Sequence, residues 1–355
     1  MKKRFVASVK GDSMQTIKSI ACIFLFLLTS TAFAKDKEFL TFSTCQSLQN
    51  IEKDQCLEKL SLAPVKKDGK WGFIDIKGET VISFQYAGAL QFTDGLAPVQ
   101  IDTDNYASWG FINKQGVLVI PVQYANIRSF NEGWAAVSNK EGYWGFIDKT
   151  GKLIIPFQYM NANMVSEGLA AVRQKDSVKW TFINKKGKIA VPGKYDFGGL
   201  FREGLVSIQN LSGQFAFLDK NGKLKTEFKY GWLNEFYQGY ALARERKSGN
   251  WGVLNKKFQW VISPIYSYLS NFSEGLFGAR IAKDEKENIY RWGFINLKGE
   301  AVLPFEYEDN AAIGFKPSYF RGLAPAIKDE KLGYIDRNGN VLIPFQYEAG
   351  GNFSE

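Results

Sequence analysis

The chain has 355 residues, with 45 Lys plus Arg against 36 Asp plus Glu, 45% apolar and 23% charged, a composition that folds rather than stays disordered. It contains no histidine, which excludes imidazole acid–base chemistry, Ser-His and Cys-His nucleophiles and the commonest zinc sites. Three cysteines are too few for a disulfide-dense scaffold or a four-thiolate metal site, while 34 Gly, 29 Phe, 16 Tyr and 9 Trp point to β structure with tight turns.

The N-terminus reads as an export signal. Lys18 precedes a nine-residue apolar run from Ile20 to Leu28, and Ala32-Phe33-Ala34 follows it. A basic start, a short apolar core and an A-x-A exit predict a signal peptide over residues 1–34, cut between Ala34 and Lys35. The run is shorter than the ~20 residues that span a bilayer, so no stable membrane span is expected after its removal. Cys22 lies inside the run and Ser19 stands where a lipoprotein signal has Leu, which argues against a lipid anchor. Met14 offers a second start. Removing residues 1–34 leaves 40 basic against 35 acidic residues with no basic cluster, so nucleic acid is not an expected partner. The expected location is the periplasm first, with the extracellular space or cell surface as alternatives.

Residues 35–61 form a polar segment carrying Cys45 and Cys56, expected as a short helical cap. In an exported chain these two cysteines favour a disulfide. A straight helix would hold them about 16 Å apart, too far to bond, so a bend around Asn50 to Asp54 is required.

From residue 62 onward one pattern recurs eight times. Trp71-Gly72-Phe73-Ile74-Asp75 returns at Trp109, Trp144, Trp180, Phe215, Trp251, Trp292 and Leu332. Fifteen residues after each start stands a tyrosine: Tyr86, Tyr124, Tyr159, Tyr195, Tyr230, Tyr266, Tyr307 and Tyr347. A later glycine, Gly95 in the first copy, recurs through Gly275 and, after an insertion, at Gly322. These motifs resemble the WG-repeat, or KWG-repeat, family of bacterial proteins, over residues 62–355. The resemblance implies repeated β structure in exported or surface proteins, without shared catalytic residues. The fourth and fifth copies depart from it, with Thr181 and Ala216 for the glycine and Phe215 for the tryptophan.

Each copy is expected to form a three-stranded antiparallel unit. In the third, the strands are Trp134 to Val137, Trp144 to Asp148 and Leu153 to Tyr159, the last two joined by an Asp148-to-Gly151 turn. The recurrent Trp71, Trp109, Trp144, Trp180, Trp251 and Trp292, with Tyr86, Tyr124, Tyr159 and Tyr347, are read as the core. Pro121, Pro156, Pro192, Pro304 and Pro344 place the third strand at a sheet edge or bulge. The glycine after tryptophan is expected to let an adjacent unit approach. An open superhelical stack is favoured, because the units are shorter than ordinary propeller blades; a closed β-propeller-like ring is the alternative. Glu355 falls just before the glycine of a further unit, which reads as a natural end or a truncated frame.

The Asp/Asn row that includes Asp75 and Asn113 suits turns better than calcium, because each loop offers one side-chain oxygen. The acidic row Asp94, Glu132, Glu167, Glu203, Glu274 and Glu355 is read as a solvated edge that discourages aggregation. No catalytic residue, cofactor site or metal site is assigned. The expected function is a non-enzymatic exported scaffold that binds a protein partner or an envelope glycan. A histidine-free carbohydrate-active enzyme using acids is one alternative, and a purely structural envelope protein another. The insertion between Tyr307 and Gly322 and the charged connection Lys283 to Arg291 are candidate binding features.

Overall fold

Every unit begins with a hairpin that its own sequence dictates. The Asp/Asn after the middle strand accepts backbone N–H groups two and four residues on, as Asp148 does from Thr150 (2.9 Å) and Lys152 (3.0 Å). The same pair of bonds is made by Asp75, Asn113, Asn184, Asp219, Asn255, Asn296 and Asp336. The computed structural model describes residues 45–48, 52, 56, 59–102, 108–175, 177–284, 286, 289–309 and 316–354, all within the compact unit Thr41–Glu355. The predicted signal segment, Ala34 and Lys35, and Glu355 lie outside them. No helix among the described residues is long and apolar enough to cross a membrane.

The described chain is all-β, and its sheets are antiparallel. In the first unit Ala63–Lys67, Lys70–Ile74 and Thr80–Tyr86 pair in that order. The three-strand expectation is then exceeded. Past seven of the eight tyrosines the chain runs on to pair with the first strand of the next unit, as the short strand Gly88–Ala89 does with Ala97–Gln100; past Tyr307 no such strand occurs among the described residues. In two places the run is uninterrupted. Leu153–Ala162 and Tyr230–Tyr237 each pair with strands of two units, fusing neighbouring sheets into seven-stranded ones. The reason is geometric: the first strand of a unit has a free edge, and the residues after the preceding tyrosine are the nearest backbone that can satisfy it.

The same pairing joins the two ends of the array. Ala349–Gly350, after the last tyrosine, pairs with Ala63–Lys67 of the first unit, and Leu62 and Ser354 form a further bridge. Phe84 stacks on Tyr347 at 6.5 Å between ring centroids, and a Cβ on Gly78 would lie 3.1 Å from Ile343. One cluster of buried residues therefore contains Ala63, Val65 and Ile74 together with Leu332, Tyr334 and Phe353. This corrects the expectation of an open stack with a cap. The first strand finds its partner in the last unit, so no cap is needed there. Nor is the helical cap of residues 35–61 supported, since helical backbone among the described residues is confined to Cys45, Gln46, Glu52 and Cys56. Cys45 and Cys56 are disulfide-bonded with Cα atoms 5.3 Å apart, far closer than one straight helix would hold them.

The core lies two residues beyond the tryptophan. Phe73, Phe111, Phe146, Phe182, Phe217, Val253, Phe294 and Tyr334 are all at most 1% exposed. The indoles are less uniform: Trp144, Trp251 and Trp292 are buried, while Trp71, Trp109 and Trp180 are half-buried. They start the middle strand opposite the tyrosine, as in Trp71 beside Tyr86, where cover from neighbours is thinner. Tyr86, Tyr124, Tyr159 and Tyr347 are buried, and burial pushes their hydroxyls above the usual tyrosine range. The third strand is both edge and bulge. Trp144 pairs with Tyr159, yet Phe146, only two residues later, pairs with Ile155. That bulge explains the glycine after tryptophan and corrects its expected role. A Cβ on Gly145 would meet the Ile155 carbonyl oxygen at 2.7 Å, which is backbone of its own unit and not of a neighbour. Where Thr181 replaces this glycine, the facing strand carries Gly193 instead. Where Ala216 replaces it, the third strand has withdrawn, leaving the single pair Phe215 to Tyr230.

Gly145→Ala is therefore expected to destabilise the protein by about 1–3 kcal/mol, the usual cost of overpacking against backbone that cannot yield. Urea unfolding would measure it, and Ala216→Gly should show no matching gain beyond ordinary glycine effects.

Candidate functional site

In six of the eight units the loop that leads to the next first strand is held from beneath by a pair of rings; Val165 in the third and Val253 in the sixth replace one of the two. Phe73 meets Phe92 at 4.9 Å between centroids, Phe182 meets Phe201 at 5.1 Å, and Phe217 meets Phe236 at 4.9 Å. Phe294 with Tyr319 and Tyr334 with Phe353 repeat the arrangement at 4.7 and 4.8 Å. Such tilted pairs suit aromatic quadrupoles and fix the loop on the core. Tyr319 adds a bond from its hydroxyl to the Asp336 carbonyl, and burial raises that hydroxyl far above the tyrosine range.

Each loop ends in a two-residue turn. Thr93 bridges to Leu96 around Asp94 (φ 52°) and Gly95 (φ 82°), both left-handed, which is the turn whose twist matches antiparallel strands. The non-glycine residue of these turns makes a contact that sequence reasoning missed. The described members of the acidic row include exposed residues, as Asp94, Glu132 and Glu203 are, and their carboxylates also clasp the next unit. Asp94 accepts the Gly133 N–H (2.7 Å), Glu132 that of Gly168 (3.0 Å), Glu167 that of Gly204 (3.0 Å), Glu203 that of Gly239 (3.0 Å) and Glu274 that of Gly322 (3.0 Å). A cation from the next unit's Asx turn joins in. Lys220 lies 3.0 Å from Glu167, Lys256 3.0 Å from Glu203 and Lys185 3.3 Å from Glu132. The equivalent Arg337 and Lys114 instead donate to the backbone carbonyls of Glu274 (2.7 Å) and Leu60 (2.8 Å). Burial raises the Glu167 and Glu203 carboxyls, but the lysine and glycine donors outweigh it and hold both below the usual range.

The loops from six of the eight units line one cleft of about 390 Å³. Its walls carry Gln91, Leu200, Arg202, Glu235, Tyr237, Asn271, Ser273, Ser318, Phe320 and Asn352, with the buried rings of Phe272, Tyr319 and Phe353 behind them. Three bonds tie the first, seventh and eighth loops: Gln91 Nε2 to the Asn352 carbonyl (2.7 Å), Ser318 N–H to Asn352 Oδ1 (3.1 Å) and Asn352 Nδ2 to the Lys316 carbonyl (3.4 Å). Glu235 Oε1 accepts the Leu200 N–H at 3.2 Å. Tyr237 is 41% exposed and Arg202 lies 5.9 Å from its ring centroid.

The tryptophan and tyrosine rows are spread one per unit through the structure, and none of those residues lines the cleft. The Asx row stays in its turns, and no group of His, Cys, Asp and Glu that could hold a metal occurs among the described residues. Of the long insertion, Ser318 to Phe320 reach the cleft, and residues 310–315 lie outside the described ones. In the charged connection, Asp284 and Ile289 are extensions of a hairpin. Twenty residues after a start stand Gln91, Leu200, Glu235, Asn271 and Asn352, which differ from one another, but neighbouring positions such as Leu90, Arg128, Asn163 and Asn234 differ as well, so the sequence alone did not single out the cleft.

These features define an all-β repeat array. Among solved structures, a eukaryotic initiation factor matches at a TM-score of 0.52 with 9% identity, covering 81% of this chain and 87% of that one. BamB from Moraxella catarrhalis aligns at 0.44 with 12% identity over 72% of this chain and 86% of that one. The WD40 β-propeller domain of Doa1 aligns at 0.39 with 13% identity over 67% and 90%. At 9% identity the likeness to the initiation factor is one of fold alone. No curated protein matches the chain. A family model for the WG-containing repeat matches residues 71–103, 109–143, 144–176, 180–210, 215–247, 251–286, 292–331 and 333–355, so the chain belongs to that family.

The clasps set a pH prediction. Glu167 and Glu203 have depressed folded pKa values, so their contribution is present above the unfolded carboxylate pKa and is lost as pH falls through the folded one. Solvent screens these half-exposed pairs, so Glu203→Gln should cost no more than about 1 kcal/mol at pH 7. In denaturant titrations the gap to the parent should shrink below about pH 4 and in high salt.

Proposed function

We propose that the protein is an exported, non-enzymatic binding scaffold that holds its ligand in the cleft formed by the repeat loops. The observation that carries this reading is the contrast within the array. Positions that pack or turn repeat from unit to unit, whereas those lining the cleft differ, as Leu200, Glu235 and Asn271 do. What sets the cleft residues apart is that loops of six units bring their differing side chains together around one cavity. The cleft volume falls at the low end of the range for small-ligand sites, about 300–1,000 Å³. Export is supported by the basic, apolar and A-x-A segments of residues 1–34, and the Cys45–Cys56 disulfide fits an oxidising compartment.

The carbohydrase alternative draws less support. Acid hydrolysis of a glycoside uses two carboxyl groups facing the substrate, and Glu235 is the one carboxylate lining the cleft among the described residues. The other acids of the repeats are held in turns and clasps.

N-terminal sequencing of the chain recovered from an envelope fraction is expected to begin at Lys35. Capture from that fraction should enrich a protein or glycan with the parent chain and lose it with the double variant Arg202→Ala, Tyr237→Ala. Failure of the parent to enrich anything, with turnover of an envelope polysaccharide, would replace the scaffold reading with the enzymatic one.

A further inference from the structure

Two features of the cleft narrow the chemistry of its ligand. First, it presents aromatic rings at its wall, Tyr237 exposed and Phe320 half-buried with one side against the core. Phe272, Tyr319 and Phe353 already fill the core beneath, yet Tyr237 and Phe320 stand at the position one residue further on, where other units have Thr93, Asn131, Ser166 and Ser273. Behind each of these two rings the clasp acid is missing, replaced by Gln238 and Arg321. The rings are thus not flanked by the carboxylate that follows at Glu203 and Glu274.

Second, the polar groups near them are planar and have capacity to spare. Asn271 is exposed and makes no hydrogen bond among the described residues. Arg202 has no ion pair there, and Glu235 uses one oxygen on the Leu200 N–H and leaves the other open. An amide, a guanidinium and a carboxylate offer donors and acceptors spaced for paired hydroxyls.

We propose that the cleft binds a short saccharide, one sugar face stacked on Tyr237 or Phe320 and its hydroxyls held by Asn271, Arg202 and Glu235. The proposal rests on the binding-scaffold reading and specifies its ligand. A polyanion would want more than the single unpaired cation Arg202 beside a carboxylate. An extended peptide would want a free strand edge, and the hairpin turns of these loops are already bridged, as Arg202 is to Leu205 and Ser273 to Leu276. Sugars instead combine an apolar face with a rim of hydroxyls, which matches rings at the wall bordered by amide and charged planar groups.

Titration calorimetry of the full chain would use cellotetraose, chitotetraose, mannotetraose and tetragalacturonate as probes, with hexaglutamate as the peptide comparison. At least one saccharide is expected to bind, with affinity reduced about tenfold by Tyr237→Ala and by Asn271→Ala and retained by Tyr237→Phe, since the ring and not its hydroxyl makes the stack. Val341→Ser, on an outer strand away from the cleft, should change nothing. All of these side chains are exposed, so thermal melts should show the variants folded. The proposal is overturned if no saccharide binds at millimolar concentration, if binding ignores both cleft substitutions, or if hexaglutamate binds and the sugars do not. Loss of the saccharide result while Arg202 and Tyr237 remain necessary for capture from the envelope fraction would leave the scaffold reading intact and remove this one alone.

Discussion

A β-strand at the edge of a sheet must find a partner for its backbone, and in this protein no unit can supply one for its own first strand. In seven of the eight units the partner comes from the residues that follow the tyrosine of the unit before, such as Gly88–Ala89 for Ala97–Gln100. Everything else in the molecule accommodates that loan. The bulge in the third strand turns the chain so that it leaves one sheet and enters the next. The glycine after tryptophan makes room for the bulge, and the ring pairs hold the loops that follow. Burial of the central Phe row stabilises units already committed to their neighbours by hydrogen bonds.

The electrostatic clasps act on the same joint from the other side of the loop. A carboxylate at a left-handed turn position is an odd choice for turn propensity alone, since Asn or Gly adopts that conformation more readily. Its reach to the next turn's N–H gives the reason. Because the clasp residue directly follows a cleft residue, as Glu203 follows Arg202 and Glu274 follows Ser273, the joint that orders the array also orders the cleft wall. The two roles are thereby separated at the resolution of single residues: one position faces the cleft, and the next faces the neighbour.

Much of this was legible in the sequence, and the reasons are local. The Asx-to-glycine turns, the middle strand and the aromatic core are written as short-range patterns, and Asp148 through Gly151 could be read without knowing any distant contact. The proline of the third strand correctly marked an edge and a bulge. What was not legible depended on partners far away in the chain. Nothing local to Gly145 reveals that its close neighbour is the carbonyl of Ile155. Glu167 looks like any surface acid until Gly204 and Lys220 are brought beside it. The join between Ala63–Lys67 and Ala349–Gly350 spans nearly the whole repeat array, and unit length was a poor guide to it, because a short strand such as Gly88–Ala89 is too brief to announce itself.

That join constrains how such a protein can change. An unclosed solenoid can gain or lose a module at small cost, since only the ends are disturbed. Here the terminal segments complete one another's sheet, so inserting or deleting a module would alter the angle every joint must accommodate and leave two unpaired edges. New specificity is more accessible by exchanging single residues around the mouth, or by lengthening one loop as between Tyr307 and Gly322, than by altering the number of modules.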